Sequence, residues 1–357
     1  MMKPFYNLTF STLLALGGLT ASMGLAETSA DAFSDPMAKP HPSSPYEFAA
    51  SGAKAAREAA PEAAGVKVIG GEIAPEGAWP WQVAMLVAGQ PISTAAHFCG
   101  GSLVLDQWVL TAAHCVHLPD GEGNWFDLEP QEISIVVGTN VLDGSGEVVP
   151  IERIIRHPSY VGSDFDYDIA LIKLARAPTV PFKTIDVPDA NFGAVLNAPG
   201  VTTVVTGWGL QNGGRPSAEL RQVQIQMLDR ELCNVTMMEE RADEAVKGFA
   251  YAAEVFGLRD EDAYAVWDSL VAKAPMPLSE NMICSGTFEG GKVSCSGDSG
   301  GPLVVPLEDG SYVQAGIVSW GMSGASGRGC DETAEFSAYV NIANFVPWLN
   351  EVIQSNP

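Results

Sequence analysis

The residues best suited to chemistry lie near the end of the chain, where Ser299 stands between Asp298 and a pair of glycines. A serine hydroxyl becomes a nucleophile only when a neighbouring base removes its proton. Gly297 allows the backbone to turn so that its own N–H and that of Ser299 point at one spot, as an oxyanion hole requires. The alternative is a turn without catalytic role, because Gly, Ser and Asp are also common turn residues.

A base and an acid for this serine are present upstream. Among the five histidines, only His114 follows an apolar strand pattern and adjoins a cysteine, Cys115, that could anchor it. Asp168 precedes a strongly apolar strand and could be buried with a histidine as its partner, whereas Asp164 and Asp166 are better suited to a solvated turn. Such an acid fixes the histidine tautomer and stabilises the protonated ring.

The overall composition indicates an exported globular protein. The chain has 357 residues and a formal charge of −24, which argues against nucleic acid or an anionic membrane as the main partner. Residues 1–26 combine a weakly basic start, an apolar stretch and small residues at a cleavage spacing, which predicts a signal peptide. The alternative is an N-terminal membrane anchor, for which the apolar run is short. We therefore expect a secreted or periplasmic, monomeric protein without a membrane span after processing.

The remaining chain has two parts that differ in amino-acid composition. Residues 27–67 are rich in Ala, Pro and Ser and cannot build a core, so they predict a propeptide, with a disordered tail as the alternative. From residue 68 onward, short apolar runs alternate with Gly and Pro turns, which is typical of an antiparallel β-sandwich or barrel. One segment, 234–280, instead has a helical composition with ten acidic and four basic side chains, and Asp260 is predicted to cap its second helix.

Eight short motifs follow one another along residues 68–350. They are Val68-Ile69-Gly70-Gly71, Trp79-Pro80-Trp81-Gln82-Val83, Phe98-Cys99-Gly100-Gly101-Ser102-Leu103, Thr111-Ala112-Ala113-His114-Cys115, Asp168-Ile169-Ala170-Leu171, Gly207-Trp208-Gly209, Gly297-Asp298-Ser299-Gly300-Gly301-Pro302 and Ser319-Trp320-Gly321. Together they resemble the chymotrypsin/trypsin family of serine endopeptidases. The resemblance implies an all-β fold of two antiparallel six-stranded barrels with the active site between them, a C-terminal helix, and a protease domain over 68–357 carrying 234–280 as a helical insertion.

The resemblance also implies roles for particular residues. Ser299 would attack the scissile carbonyl, and His114 would take its proton and pass it to the leaving amine. Asp168 would hold His114, and the N–H groups of Gly297 and Ser299 would bind the oxyanion. The segment Ser319-Trp320-Gly321 would pair with the substrate backbone as an added strand.

Activation and cross-linking follow from the same resemblance. Cleavage after Lys67 would free the amine of Val68, whose ammonium would pair with Asp298 and order the oxyanion loop. The chain would then be made as a zymogen. Three disulfides are implied, namely Cys99–Cys115, Cys233–Cys284 and Cys295–Cys330.

The specificity pocket departs from the trypsin pattern. Its floor corresponds to Val293, where trypsin-like enzymes place an aspartate that pairs with Lys or Arg. With Ser294, Gly321 and Ser337 as the other pocket positions, the pocket is predicted to be neutral and to accept apolar or small side chains. The alternative is that Glu335 points inward and admits a basic residue. A neutral pocket would cut poorly after a lysine, so a separate trypsin-like activating protease is expected as a partner besides protein or peptide substrates.

The sequence also allows other functions and sites. A non-catalytic homologue that only binds is the main rival, and the insertion is either an interaction arm or a surface decoration. We expect no cofactor and no metal, because the loop Asp143-Gly144-Ser145-Gly146-Glu147 is short and has few carboxylates for calcium. Asn234-Val235-Thr236 is a glycosylation sequon, which matters only in a host that glycosylates.

Overall fold

A computed structural model describes residues 71–356 apart from 163, 212–213, 288 and 322–333. The predicted signal peptide, propeptide and cleavage site at Lys67 and Val68 therefore lie outside the described residues, as does Cys330. None of the described helices is both long enough and apolar enough to cross a membrane.

The described chain is mainly β-structure with four α-helices. The strands are β1 (Glu72–Ile73), β2 (Gln82–Val87), β3 (His97–Leu105), β4 (Trp108–Thr111), β5 (His117–Pro119), β6 (Trp125–Asp127), β7 (Ile133–Val137), β8 (Glu147–Val149), β9 (Ile151–Arg156), β10 (Ala170–Leu174), β11 (Thr202–Gly207), β12 (Leu210–Gln211), β13 (Arg215–Pro216), β14 (Arg221–Met227), β15 (Met282–Gly286), β16 (Pro302–Pro306), β17 (Tyr312–Gly321) and β18 (Phe336–Asn341). The helices are α1 (Ala190–Leu196), α2 (Arg230–Val255), α3 (Asp260–Lys273) and α4 (Val346–Ser355).

The first large sheet has the strand order β8-β7-β2-β3-β4-β10-β9, and all its pairings are antiparallel. Its central strands are largely apolar and buried: every residue of β10 is buried, including Lys173, as are all but the last of β2, including Gln82. Ala170 in β10 lies opposite Thr111 in β4. This register brings the residues just before β10 beside the turn that follows β4.

The second large sheet closes on itself. The order β14-β11-β16-β17-β18-β15 is completed by pairing of β15 with β14, and β1 adds to the same edge of β14. Along β14 buried residues alternate with more exposed ones, as expected for a strand with one face on a barrel core. The predicted all-β fold is confirmed as a closed six-stranded barrel beside a curled seven-stranded sheet.

Buried polar contacts join the two sheets. The hydroxyl of Ser102 donates to Gln314 Oε1 at 2.6 Å, and the hydroxyl of Thr206 donates to Gln82 Oε1 at 2.6 Å. Buried polar groups are costly unless paired, so these contacts fix one relative placement of the sheets. The cleft expected between two barrels is therefore held by specific hydrogen bonds as well as by apolar packing.

The segment predicted to be a helical insertion contains α2 and α3. Helix α2 begins after Asp229, whose carboxylate accepts from the Leu232 N–H at 2.9 Å. Helix α3 begins at Asp260 itself, after Arg259 at the N-cap, and no side chain caps it, so the predicted capping by Asp260 is wrong. Residues Met238–Pro275 group apart from the rest of the described chain.

The start of α2 is tied to the chain that precedes β15. Asn234 is 7% exposed; its Oδ1 accepts from the Leu278 N–H at 2.7 Å and its Nδ2 donates to the Leu278 carbonyl at 3.2 Å. The sequon asparagine is thus a structural residue, because its amide satisfies a backbone donor and a backbone acceptor. The disulfide Cys233–Cys284 lies at the same junction.

Two of the expected disulfides are present, Cys99–Cys115 and Cys233–Cys284, with sequence separations of 16 and 51. Cys295 is also disulfide-bonded, while its expected partner, Cys330, lies outside the described residues. A cross-link stabilises mainly by restricting the unfolded chain, and the effect grows with the length of the closed loop.

We therefore expect removal of Cys233–Cys284 by paired Cys→Ser substitutions to cost about 4 kcal/mol of unfolding free energy, against about 3 kcal/mol for Cys99–Cys115. The measurement is denaturant unfolding. Every chain also carries Ser299→Ala, which should prevent the protein from digesting itself during the measurement. A larger loss for the shorter loop would show that native packing, and not loop closure, decides these contributions.

Candidate active site

A buried histidine–carboxylate pair lies where β4 and β10 meet. The turn after β4 presents His114, whose Nδ1 lies 2.7 Å from Asp168 Oδ2, and whose backbone N–H donates to Asp168 Oδ1 at 2.8 Å. Asp168 is fully buried, and the hydroxyl of Ser319 also donates to its Oδ2. Three donors thus hold one carboxylate, so the ring of His114 has a fixed orientation with Nδ1 toward the acid.

The rest of the His114 ring is surrounded by a disulfide sulfur and an aromatic ring. Its Nε2 lies 3.9 Å from Cys115 Sγ, and the ring of Phe165 meets it edge-on at 5.6 Å. Phe165 has φ of 57°, a left-handed conformation that is rare for a residue with a side chain. Cys99 and Cys115 cluster with His114 at metal-ligand distances, but both sulfurs are joined in a disulfide and cannot act as thiolate ligands.

The loop that carries Ser299 is packed directly against this region. The Ser299 carbonyl accepts from the Gly100 N–H at 2.7 Å. A Cβ on Gly300, which has φ of +77°, would lie 2.2 Å from Thr111 Oγ1. Only glycine at position 300 therefore allows the serine loop to approach β3 and β4 so closely. The point of approach, Thr111, lies three residues before His114 in the chain.

Two backbone donors in the serine loop are left available. The neighbouring N–H groups of Asp298 and Gly300 donate to the carbonyls of Cys295 and Val318. Within the described part of the chain, the N–H groups of Gly297 and Ser299 donate no hydrogen bond. Gly297 has φ of 96°, a conformation that favours glycine. A turn of this kind is suited to directing two backbone N–H groups at one anion.

Asp298 lies beneath this loop in a cradle of glycines. Its carboxylate accepts from the N–H groups of Gly209 and Cys295 at 2.8 and 2.9 Å. A Cβ on Gly207 or Gly209 would come within 2.1 or 2.6 Å of the carboxylate oxygens. Burial raises the pKa of Asp298 to about 6, and the two backbone donors oppose that shift. The Gly207-Trp208-Gly209 motif is thus spaced to admit a carboxylate.

A second buried histidine, His97, adjoins the same loop, and no sequence pattern singled it out. His97 is 7% exposed and its Nε2 has no hydrogen-bond partner. Burial lowers its pKa to about 4, so the ring is neutral at neutral pH. Trp208 meets it edge-on at 5.7 Å, and a Cβ on Gly297 would lie 3.8 Å from it. His97 therefore packs beside the serine loop as a neutral ring.

The residues expected to form the specificity pocket also lie together. Val293 is 1% exposed and packs against Ala334 in a small apolar cluster. The hydroxyl of Ser337 donates to the Ser294 carbonyl at 3.3 Å, and a Cβ on Gly321 would lie 3.1 Å from that same hydroxyl. The four expected pocket positions and Ala334 are uncharged, and residues 322–333, which follow Gly321, lie outside the described residues.

The carboxyl of Glu335 has a raised pKa because it is partly buried. Its carbonyl accepts from the Thr287 N–H at 2.8 Å, which fixes the backbone at the start of β18. Trp320, 6.5 Å from the ring of Phe165, has a buried indole N–H without a partner. Sequence reasoning named Ser319 and Trp320 as substrate-binding residues but missed the bond from Ser319 to Asp168, because nothing local to Ser319 encodes a contact 151 residues away.

Comparisons with known proteins agree with this arrangement. A family model described as Trypsin matches residues 68–349. Over 297 residues the chain is 32% identical to an anionic trypsin of Canis lupus familiaris, covering 81% of this chain and 91% of that protein.

Two further relatives are much longer proteins. The transmembrane protease serine 7 of Mus musculus is 29% identical and that of Rattus norvegicus 30% identical, each over 81% of this chain. The match spans only 29% and 28% of those two proteins, so they support the shared domain alone. The family model and the anionic trypsin both match most of the chain, and the chain belongs to the trypsin family of serine proteases.

Proposed function

We propose that this protein is an exported serine endopeptidase, made as a zymogen, with a preference for apolar or small side chains. The observation that carries the proposal is the buried His114–Asp168 pair beside a closely packed serine loop that has two unused backbone donors. A binding protein would gain nothing from a fully buried acid aimed at a histidine and from N–H groups left unpaired. Membership of a family of peptide-bond hydrolases supports the same reaction class.

In the proposed mechanism Ser299 Oγ attacks the scissile carbonyl carbon while its proton moves to His114 Nε2. The N–H groups of Gly297 and Ser299 stabilise the oxyanion of the tetrahedral intermediate. The protonated His114 then delivers the proton to the leaving amine, and the acyl-enzyme remains on Ser299. Water, deprotonated by His114, releases the acid, and Asp168 stabilises the imidazolium in both half-reactions.

Replacement of the nucleophile is the direct test. We expect Ser299→Ala to lower kcat on a peptide substrate by about four to six orders of magnitude and to abolish covalent labelling by an organophosphonate. The matched control is Ser296→Ala, an exposed serine three positions away, which should keep both activity and labelling. Labelling that persists in Ser299→Ala would exclude this serine as the nucleophile.

Activation is proposed from the state of Asp298. A buried carboxylate without a cationic partner is strongly disfavoured, and in the described residues Asp298 has backbone donors alone. Val68 lies three residues before Gly71, whose carbonyl accepts from Arg221 at 3.2 Å. Cleavage after Lys67 would create an ammonium at Val68 that could reach this carboxylate and stabilise the oxyanion loop.

In the uncut chain, ionisation of Asp298 should lower the free energy of unfolding. Because the pKa of Asp298 rises from 3.8 to about 6 on folding, its contribution to stability is present below about pH 4 and is lost as pH rises through 6. In a Lys67→Gln, Ser299→Ala chain we expect this loss to reach about 3 kcal/mol of unfolding free energy. Adding Asp298→Asn should abolish that part of the pH dependence.

The matched comparison is the Ser299→Ala chain cleaved after Lys67 by an added trypsin-like protease. Its new ammonium should lower the pKa of Asp298 and remove most of the loss between pH 4 and pH 7. Equal pH profiles for the cut and uncut chains, measured by denaturant unfolding, would refute the pairing of Val68 with Asp298.

Specificity is proposed from Val293, which cannot pair with a cationic substrate side chain. We expect kcat/KM for peptides with Leu, Met or Phe before the scissile bond to exceed that for Arg by about tenfold or more. Val293→Asp should reverse the order in favour of Arg, while Val293→Ser, which adds no charge, should not. A wild-type preference for Arg in such a panel would contradict the neutral pocket.

A neutral pocket has a consequence for maturation. The enzyme should cut its own precursor poorly after Lys67, so a separate trypsin-like protease is proposed as the activator. The proposed export rests on the signal-like residues 1–26 and on disulfide-bonded cysteines, which persist mainly in oxidising compartments.

A further inference from the structure

Asp166 lies two residues before the buried acid Asp168, and its side chain bonds to a distant part of the chain. It is half-buried, and its Oδ1 accepts from the hydroxyl of Ser279 at 2.8 Å and from Nδ2 of Asn281 at 3.0 Å. The backbone N–H of Tyr167 donates to the same oxygen at 2.9 Å. Asp166 is therefore not the solvated turn residue that its sequence context favoured.

The two side chains that hold Asp166 belong to a part of the chain that other hydrogen bonds already fix. Both precede β15 of the second large sheet. The Ser279 carbonyl accepts from the Arg230 guanidinium at 2.9 Å, and the Asn281 carbonyl accepts from the Asn341 N–H at 2.8 Å. The carboxylate of Asp166 thus ties the chain that leads into β10 of the first sheet to a fixed edge of the second.

The short stretch around Asp166 has a backbone that needs such a restraint. Phe165 and Tyr167, on either side of it, have φ of 57° and 56°. Residues with side chains keep this left-handed conformation only where surrounding contacts impose it. The Ile169 N–H donates to the Tyr167 carbonyl at 2.7 Å, so the chain turns tightly around Asp168. Because the stretch is so short, the position of Asp166 bears directly on that of Asp168.

The neighbours of Asp166 are the residues that contact the histidine of the site. Phe165 meets the ring of His114 edge-on at 5.6 Å and also packs against a buried apolar cluster that includes Leu278. Asp168 Oδ2 lies 2.7 Å from His114 Nδ1. A displacement of Asp166 would therefore reach the histidine by two routes, through the ring of Phe165 and through the carboxylate of Asp168.

We propose that Asp166 is a positioning residue for the His114–Asp168 pair. Its bonds to Ser279 and Asn281 hold the acid in line with the histidine, and a misplacement of about 1 Å in such a group can cost about a hundredfold in rate. The kinetic effect of this role rests on the proposed peptidase function, whereas the geometry of the pair can be measured without it.

The kinetic test compares two substitutions of Asp166 in chains cleaved after Lys67. Asp166→Ala removes the acceptor and should lower kcat on a peptide substrate by about tenfold to a hundredfold. KM should change by less than about threefold, because the change acts on the catalytic pair and not on substrate binding. Asp166→Asn keeps an oxygen where all three donors meet, so it should retain kcat within about threefold.

The matched control for these substitutions is Asp309→Ala. Asp309 is an exposed carboxylate that accepts from Ser311 within its own turn. Its removal should leave both kcat and KM unchanged. Thermal unfolding of each variant separates a loss of activity from a loss of the fold.

A second measurement does not depend on peptidase activity. In the full chain with Ser299→Ala, the Nδ1 proton of His114 should give a proton NMR signal far downfield, because a short charge-assisted bond to a carboxylate deshields it. Asp166→Ala should weaken this signal or move it upfield, while Asp166→Asn and Asp309→Ala should retain it. A role in stability alone would lower the unfolding midpoint without moving the signal.

The distant donors provide a further test, which also applies if Asp166→Ala does not fold. Paired Ser279→Ala and Asn281→Ala should lower kcat and displace the His114 signal in the same direction. Where Asp166→Ala folds, adding it to this pair should cost little more, because substitutions that break the same contact are not additive.

Three results would overturn the proposal. They are wild-type kinetics with an unchanged NMR signal in folded Asp166→Ala, the same result in the folded Ser279→Ala, Asn281→Ala chain, and an Asp166→Asn chain as impaired as Asp166→Ala. If the wild-type chain shows no peptidase activity, the proposed function fails, and the His114 signal alone then decides the role of Asp166.

Discussion

The burial of one carboxylate governs the active region. Asp298 is almost completely buried, and two backbone N–H groups hold it in a space that only glycine at positions 207 and 209 leaves open. Its neighbours in sequence form the turn that presents Ser299 and the unused donors. Because the cost of a buried charge depends on its partners, the shape of this turn is coupled to whether a cation reaches the carboxylate. The proposed catalytic chemistry thus depends on an electrostatic condition outside the catalytic groups.

A second constraint is the joining of the two sheets at the site. His114 and Asp168 come from the first sheet, whereas Ser299 lies between strands of the second. The bond from Gly100 to the Ser299 carbonyl and the bond from Ser319 to Asp168 cross between them. These contacts hold groups from distant parts of the chain in one geometry, as preorganised catalysis requires.

The sequence allowed much of this to be predicted, for identifiable reasons. Short apolar strands and turns predicted an all-β fold, and the motif around Ser299 singled out a loop that packs against β3 and β4, close to the turn that carries His114. Three contacts were not predicted: Phe165 with His114, His97 with the serine loop, and the Ser319 hydroxyl with Asp168. Each depends on register and packing between distant strands, and no local pattern encodes these. Asp260 failed as a cap because the helix begins one residue earlier than expected, with Arg259 at the N-cap and Asp260 already in the first turn, and sequence patterns do not locate a helix boundary to one residue.

The buried side chain of Asn234 has a consequence for how the protein is produced. Its amide group donates a hydrogen bond to the Leu278 carbonyl and accepts one from the Leu278 N–H, yet Asn234 is also the acceptor residue of a glycosylation sequon. A secretory pathway that glycosylates acts on such a sequence while the chain is still extended and the amide is free. A glycan added then would occupy the position that Leu278 needs, at the junction closed by Cys233–Cys284. The choice of expression host is therefore a folding variable for this protein: a host without N-glycosylation, or a Thr236→Ala chain, avoids a modification that the native structure has no room for.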